Sequence, residues 1–527
     1  MSSTSVLLQT DFYKTSHYKM YPEGTTKIYS NLTPRKSRLN GVNHIVVFGL
    51  QYFILEYLIK QWNENFFRYL KVDNSTANEE NKNIAKARVL RRYKRIMDAT
   101  LGKDSVGLEH LEKLWDLQYL PLEIKALPEG TLCPIGVPCV TITNTVDHAY
   151  WLVNYLETIL SCTVWQPMTS ATIAYEYKKL LNKYSIETTG STEGVQFQAH
   201  DFSMRGMSSL ESAITSGGGH LLSFVGTDTI PAITFLETYY KADVEKELVG
   251  CSVPATEHSV MCMGTKDDEI GTFKRLIDLY PSGILSVVSD TWNLWKVLTK
   301  YLPVLREQIM ERNGKLVIRP DSGDPVDIIC GHPKSSHHTY EQYKDICDSK
   351  GHEFTWTKEQ YKGVIELLWD VFGGNKTEQE YKVLHESIGA IYGDSITLER
   401  AKEICERLKA KGFASNNIVF GVGSFTYQMN TRDTFGFAMK ATYGEVDGVG
   451  REIFKAPITD SGEKKSKAGL IRVVGPDFEG NTTGTLMCLD RQTKTEEKAG
   501  LLQTVFLNGK LVKEQSLTEI RERLNSY

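Results

Sequence analysis

Short apolar runs that stop abruptly in polar or glycine residues recur through the middle of the chain. Val195-Gln196-Phe197 leads into His200-Asp201-Phe202-Ser203-Met204-Arg205-Gly206, and the run 221–225 leads into Gly226-Thr227-Asp228. The run 284–288 stops at Ser289-Asp290, and Leu316-Val317-Ile318 stops at Arg319-Pro320-Asp321-Ser322-Gly323. The run 388–392 stops at Gly393-Asp394, and Ile418-Val419-Phe420 stops at Gly421-Val422-Gly423-Ser424. Runs of this length, rich in β-branched residues and bounded by turn formers, predict buried strands. Helical spacing fills the gaps at 229–248, 291–312 (broken near Pro303), 359–372 and 398–411. In the last of these, Ala401, Ile404, Cys405 and Leu408 follow the i, i+3, i+4, i+7 pattern of one apolar face. Strands alternating with helices predict parallel pairing through right-handed crossovers. Polar residues at many strand ends predict a (β/α) barrel, because an open doubly wound sheet gathers its site at one switch point.

The flanks carry a different pattern. Leu122, Ile124 and Ala126 alternate with polar residues between proline and glycine turns, and 137–143 is a second strand-like piece, so a small β-rich layer is expected. Helices are predicted at 52–62, 150–160 and 170–184. Leu90, Tyr93 and Met97 recur at helical spacing inside the charged stretch 63–105, which reads as a helix with a solvated face. Near the C-terminus 470–474 and 501–507 are strand-like, and a closing helix starts at Leu517.

Composition narrows the class. With 527 residues the chain can hold two domains or more. Its 61 basic and 65 acidic residues leave a formal charge of −4, so no nucleic-acid or membrane partner is expected and any anion site must be local. Nine cysteines without a C-x-x-C pair, and no signal-like N-terminus, point to a reducing cytoplasm. No apolar run reaches the roughly 18 residues of a membrane helix.

The strand ends supply Arg205, Arg319, Asp228, Asp290, Asp321 and Asp394, with Gly393 and Gly423 in the turns. Cations and carboxylates around glycines suit a phosphate ester bound with Mg²⁺. His258, in Pro254-Ala255-Thr256-Glu257-His258-Ser259, has two readings. It either bonds Glu257 or caps a helix, or it serves as a general acid/base or phosphate acceptor. The aromatic and basic segment around Tyr13 is a surface segment or a platform for a flat heterocycle. The lysine run 463–467 is a solvated loop or a phosphate clamp. Residues 331–357, despite His332, His337, His338 and His352, read as a polar surface insertion and not a metal site.

In order, T-D-F-Y-K, H-D-F-S-M-R-G, G-T-D-T, S-V-P-A-T-E-H-S, S-V-V-S-D, I-R-P-D-S-G, Y-G-D, F-G-V-G and T-R-D resemble the nicotinamide phosphoribosyltransferases, of the type II phosphoribosyltransferases. The resemblance covers nearly the whole chain. It implies an irregular (β/α) barrel (179–425) and an α/β domain built from both chain ends (1–178 with 426–527). It further implies a homodimer with shared active sites. The implied reaction moves the phosphoribosyl group of phosphoribosyl pyrophosphate to nicotinamide, with Mg²⁺, and with ATP as co-substrate through phosphorylation of His258. Phe202, and Tyr13 of the partner subunit, would sandwich the nicotinamide ring. Asp228 would accept from the carboxamide and repel nicotinate. Arg319 and Arg205 would contact substrate or phosphate, and Asp290 and Asp321 would hold ribose hydroxyls and Mg²⁺–pyrophosphate. Ser286, Gly393, Asp394, Gly423 and Ser424 would line the ribose-phosphate cradle. Arg35, Arg432, Lys440, Lys455 and Lys464 would neutralise phosphates. Two departures stand out: Gly423-Ser424-Phe425 stands where the animal enzymes of the family have a run of three glycines, and Ser395-Ile396-Thr397 replaces Gly-Val-Asp after Asp394. A nicotinate phosphoribosyltransferase, or a non-catalytic binding protein on the same scaffold, are the alternatives.

Overall fold

The computed structural model describes residues 5–67, 79–393, 395–455 and 467–527, and the chain divides into two units. The first comprises 1–172, 235–242 and 430–527, and the second 173–234 and 243–429. Of the residues singled out above, Asp394 and Lys464 lie outside the described set.

In the first unit, both chain ends meet in one seven-stranded antiparallel sheet. Its long strand Thr25–Thr33 lies between Ala438–Val446 and Val140–Asn144. The strand Leu122–Ala126 buries Leu122, Ile124 and Ala126 and leaves Glu123 and Lys125 half-buried, as its alternation predicts. Helix Glu79–Leu101 turns Leu90, Tyr93 and Met97 into the unit's core.

The second unit holds six parallel strands: β1 (Ala199–Asp201), β2 (Gly226–Thr227), β3 (Ser282–Val288), β4 (Asn313–Arg319), β5 (Ile388–Tyr392) and β6 (Ile418–Val422). Their order across the sheet is β2-β1-β6-β5-β4-β3. The ring is closed by the segment 251–256. Cys251 pairs with Gly226 of β2, and Ala255 pairs with Ser286 of β3. Four backbone hydrogen bonds make this seam: Thr227 N to Cys251 O (2.9 Å), Cys251 N to Val225 O (2.7 Å), Ser286 N to Pro254 O (2.9 Å) and Thr256 N to Ser286 O (3.0 Å). The result is the irregular (β/α) barrel expected.

Several expectations need correction. Val195–Phe197 forms a 3₁₀ turn, and the strand follows it. Residues 221–225 are likewise a turn ahead of the two-residue β2. The helix expected at 229–248 ends at Tyr240, where Lys241 adopts φ +54°. The helix expected at 359–372 is split at Gly363 (φ +77°) into Lys358–Lys362 and Val364–Phe372. Before Pro303, which has no N–H to donate, the helix widens to a π turn over Val297–Tyr301. The insertion 331–357 is not merely polar. The His332 ring stacks on Tyr361 at 5.2 Å and lies 4.9 Å from both Tyr343 and Trp356. Burial in this cluster holds its imidazole below the ordinary value.

Candidate active site

Register gathers the polar strand ends at one rim of the barrel. Val288 of β3 pairs with Arg319 of β4, which sets Asp290 level with Asp321. Asp201 of β1 pairs with both Thr227 of β2 and Val422 of β6, so Phe202, Asp228 and Gly423 each follow at one height. A cleft of about 360 Å³ opens there, lined in part by Phe202, Arg205, His258, Arg319, Asp321 and Gly393. Gly423, Ser424 and Phe425 border it too, so the replaced glycine run reaches the cleft with longer side chains.

The two carboxylates are tied together. Asp290 Oδ2 accepts from the Asp321 backbone N–H (2.9 Å) and from Ser322 Oγ (2.6 Å). Asp290 Oδ1 is buried and has no hydrogen-bond partner among the described residues. His258 begins the helix His258–Met263, and its Nε2 lies 3.8 Å from Asp321 Oδ2 and 4.0 Å from Asp290 Oδ1. Its Nδ1 lies 3.2 Å from Thr291 Oγ1. Glu257 instead accepts from Ser259 Oγ, so the reading that paired His258 with Glu257 fails. Among the described residues no group of three or more His, Cys, Asp and Glu side chains is arranged to hold a metal by itself. Two adjacent carboxylates, one with an unsatisfied buried oxygen, nevertheless fit Mg²⁺. That ion is usually bound by one or two carboxylates, with substrate phosphates and water completing its shell.

Phe202 forms the other side. Its position rests on Asp201, which is fully buried. Asp201 Oδ1 accepts from Ser203 N (2.9 Å) and Oδ2 from Thr229 Oγ1 (2.7 Å), fixing the turn that presents the ring. The Arg319 guanidinium lies 5.7 Å from the centre of the Phe202 ring, within cation–π range. Gly421 is required here, because a Cβ would come within 2.7 Å of Phe202 Cδ2. Asp228 Oδ1 accepts from His200 Nε2 (2.9 Å) and Ser252 Oγ (2.7 Å). Burial alone would raise its pKa, but these hydrogen bonds, with the His200 and Arg319 charges, hold the carboxyl below its ordinary value. Behind β2, His220 is buried and pushed down to about 4, so it is neutral. Its Nε2–H donates to Gly226 O (3.0 Å), leaving Nδ1 to accept from Tyr427 OH at 2.7 Å. Ser286 is buried on β3 with its backbone N–H and C=O both engaged by the seam.

The remaining predicted residues belong to the first unit. Lys440 is held below its ordinary pKa by desolvation and then by the charges of Arg35, Lys455 and Lys14, against the opposing pull of Glu157. Arg35 Nε donates to Gly436 O (3.3 Å). Arg432 lies 3.5 Å from Asp433 in an exposed turn. Tyr13 is exposed, with Lys14 Nζ 5.3 Å from its ring centre. Arg35, Lys440 and Lys455 thus form one cationic group. His200, Ser252, Thr291 and Ser322 went unassigned in the sequence, although His200 and Ser252 open two of the quoted motifs.

The rim of this parallel barrel carries paired carboxylates, an arginine and a presented aromatic ring, a set suited to a flat base and a phosphate ester. Residues 197–510 match the nicotinate phosphoribosyltransferase (NAPRTase) family, and residues 5–65 match the N-terminal domain of nicotinamide phosphoribosyltransferase. The chain is 51% identical to the nicotinamide phosphoribosyltransferase of Acinetobacter baylyi, over 98% of this chain and 96% of that one. It is 35% identical to that of Mycoplasma pneumoniae, over 89% and 97%. The chain therefore belongs to the nicotinate phosphoribosyltransferase family, and within it to the nicotinamide phosphoribosyltransferases. In fold it is similar to nicotinate-nucleotide pyrophosphorylase from Pyrococcus furiosus, with a TM-score of 0.50 at 13% identity, covering 99% of this chain and 95% of that one.

Proposed function

We propose that this enzyme joins nicotinamide to phosphoribosyl pyrophosphate, giving nicotinamide mononucleotide and pyrophosphate. The observation that carries this reading is the placing of Phe202, Arg319, Asp290 and Asp321 on one rim, with Asp228 held ionised by His200 and Ser252. The pyridine nitrogen attacks the anomeric carbon while its bond to the pyrophosphate oxygen breaks, and pyrophosphate leaves with the bonding pair. That nitrogen carries no proton, so no general base is needed. Catalysis then lies in positioning and in stabilising developing charge. Phe202 stacks on the ring, Asp228 accepts from the carboxamide, and Arg319 and Arg205 meet substrate or phosphate oxygens. Asp290 and Asp321 would hold Mg²⁺, which when bound neutralises pyrophosphate charge. Ser286, Gly393, Asp394, Gly423 and Ser424 cradle the ribose phosphate.

Two finer points belong to the same proposal. In a cytoplasmic homodimer, Tyr13 of the partner subunit covers the second face of the base, and Arg35, Arg432, Lys440, Lys455 and Lys464 neutralise phosphates. His258 takes the γ-phosphoryl group of ATP on a ring nitrogen, ADP leaves, and water later hydrolyses the phosphohistidine. The support is its half-exposed ring at the cleft, less than 4 Å from Asp321. Among the described residues no helix is long and apolar enough to cross a membrane. The test is to incubate the protein with phosphoribosyl pyrophosphate and Mg²⁺, with nicotinamide or nicotinate, with and without ATP. Mononucleotide from nicotinamide is expected. No product from either base would overturn the reading, and product from nicotinate alone would overturn the role of Asp228.

A further inference from the structure

His200 touches both halves of the proposed base pocket. Its ring centre lies 4.6 Å from that of Phe202, tilted by 35°, and its Nε2 lies 2.9 Å from Asp228 Oδ1. The ring is itself wedged in place. A Cβ on residue 226 would come within 2.8 Å of His200 Nδ1, so the glycine of β2 makes room for it. Only 12% of the side chain is exposed. Ser252, from the seam that closes the barrel, adds a second donor to the same oxygen.

We propose that His200, seconded by Ser252, is the positioning residue for nicotinamide selectivity: together they saturate Asp228 Oδ1 and aim Oδ2 at the base. This rests on the reading that Asp228 meets the carboxamide. A carboxylate only accepts hydrogen bonds, so His200 must carry its proton on Nε2 toward Asp228. With both donors on Oδ1, turning the carboxylate about its Cβ–Cγ bond would break two charge-assisted hydrogen bonds at once. The oxygen presented to the base is then a fixed acceptor. The NH₂ of nicotinamide can donate to it. The carboxylate of nicotinate has no hydrogen to give, and meets negative charge.

A residue that merely fastened β1 to β2 would affect both bases and both substrates alike. The test is steady-state kinetics of the full chain and of H200A, H200Q, S252A and D228A, with each base. In H200A the KM for nicotinamide should rise ~10-fold, the loss expected for one hydrogen bond to a charged group. The KM for phosphoribosyl pyrophosphate and the activity with nicotinate should stay within about twofold, so the preference for nicotinamide falls ~10-fold with it. H200Q, whose amide N–H reaches the same oxygen, should recover most of the loss, and S252A should lose ~3- to 10-fold of the preference. Equal losses with both bases, a parallel rise in the KM for phosphoribosyl pyrophosphate, or no recovery in H200Q would overturn the proposal. Should H200A fail to fold, S252A decides: an unchanged preference overturns it. D228A separates the two levels. If D228A keeps the preference, the reading of Asp228 is wrong and this inference goes with it. If D228A abolishes the preference while H200A and S252A do not, only the role of His200 falls.

Discussion

Replacing Gly393 by alanine should damage activity without harming the fold. Gly393 follows β5 at the rim, and its φ lies outside the left-handed region, so alanine meets no backbone penalty there. The obstacle is local. A Cβ would lie 2.7 Å from Asp321 Oδ1, about 0.7 Å short of ordinary contact. The next neighbour, Arg319 Nε, is already at an acceptable 3.5 Å. Asp321 is part-exposed and can swing away, so the clash resolves by moving the carboxylate and not the strand. Losing a glycine where alanine fits can even stabilise by ~0.4–1 kcal/mol through the unfolded chain. Misplacing a catalytic group by ~1 Å can cost ~100-fold, so ~0.7 Å should lower kcat/KM for phosphoribosyl pyrophosphate by ~10- to 100-fold. Thermal melting and initial-rate kinetics on the same G393A sample check both halves. Kinetics within twofold of the parent, or a melting temperature several degrees lower, would refute this account of the glycine.

Asp228→Ala should lower kcat/KM for nicotinamide by ~10- to 150-fold, the value of a hydrogen bond to a charged group, as measured by mononucleotide formation. Asp228→Asn should behave similarly, because the amide can no longer act as a charged acceptor. His258→Ala should abolish the increment that ATP adds to the rate; an increment that survives excludes the phosphohistidine. Acid should weaken the fold through His220. Its folded pKa of about 4 lies below the ordinary 6.5, so between those values the unfolded chain binds a proton that the fold refuses. Stability is complete above pH 6.5 and falls toward pH 4, by at most ~3 kcal/mol from this residue. Urea midpoints at pH 7.5 and pH 5 should differ by less in H220Q than in the parent.

Strands announced themselves where they were apolar. The stretches at β3, β5 and β6 bury most of their length and β4 buries Leu316 and Ile318, and their runs of valine, isoleucine and leucine mark them. The strand β1 is Ala-His-Asp and β2 is Gly-Thr: His200 bonds Asp228, Asp201 holds the following turn and Gly226 makes room for the His200 ring, so neither strand carries an apolar run. The apolar runs just before them are turns, in which Val195, Leu221, Leu222, Phe224 and Val225 are buried, so the predicted strands were displaced by a few residues. The seam Cys251-Ser252-Val253-Pro254-Ala255 has no period to read and contains a proline, so nothing local marks it as part of a sheet. Rim residues such as Asp290, Asp321 and Gly393 were legible because each lies within three residues of the end of an apolar run. His200 and Ser252 were not, since each acts through Asp228, a contact that only the pairing of non-adjacent segments creates. The aromatic cluster around His332 was hidden for the same reason: Tyr343, Trp356 and Tyr361 are spread through a stretch dominated by polar residues.

The seam also gives the barrel a clasp. Every other neighbouring pair of strands is joined by a regular ladder, whereas this junction depends on two single bridges with four backbone hydrogen bonds, helped by Val288 N to Thr256 Oγ1 and Ser252 Oγ to Asp228 Oδ1. Its residues are exposed or half-buried up to Ala255, so it should exchange its amide hydrogens before the rest of the ring. The clasp also carries freight at both ends. Ser252, which donates to Asp228, stands at one end, and His258 stands just past the other. On the roles proposed for His258 and Asp228, a push on the histidine has only five residues of chain to cross before it reaches the serine that holds Asp228.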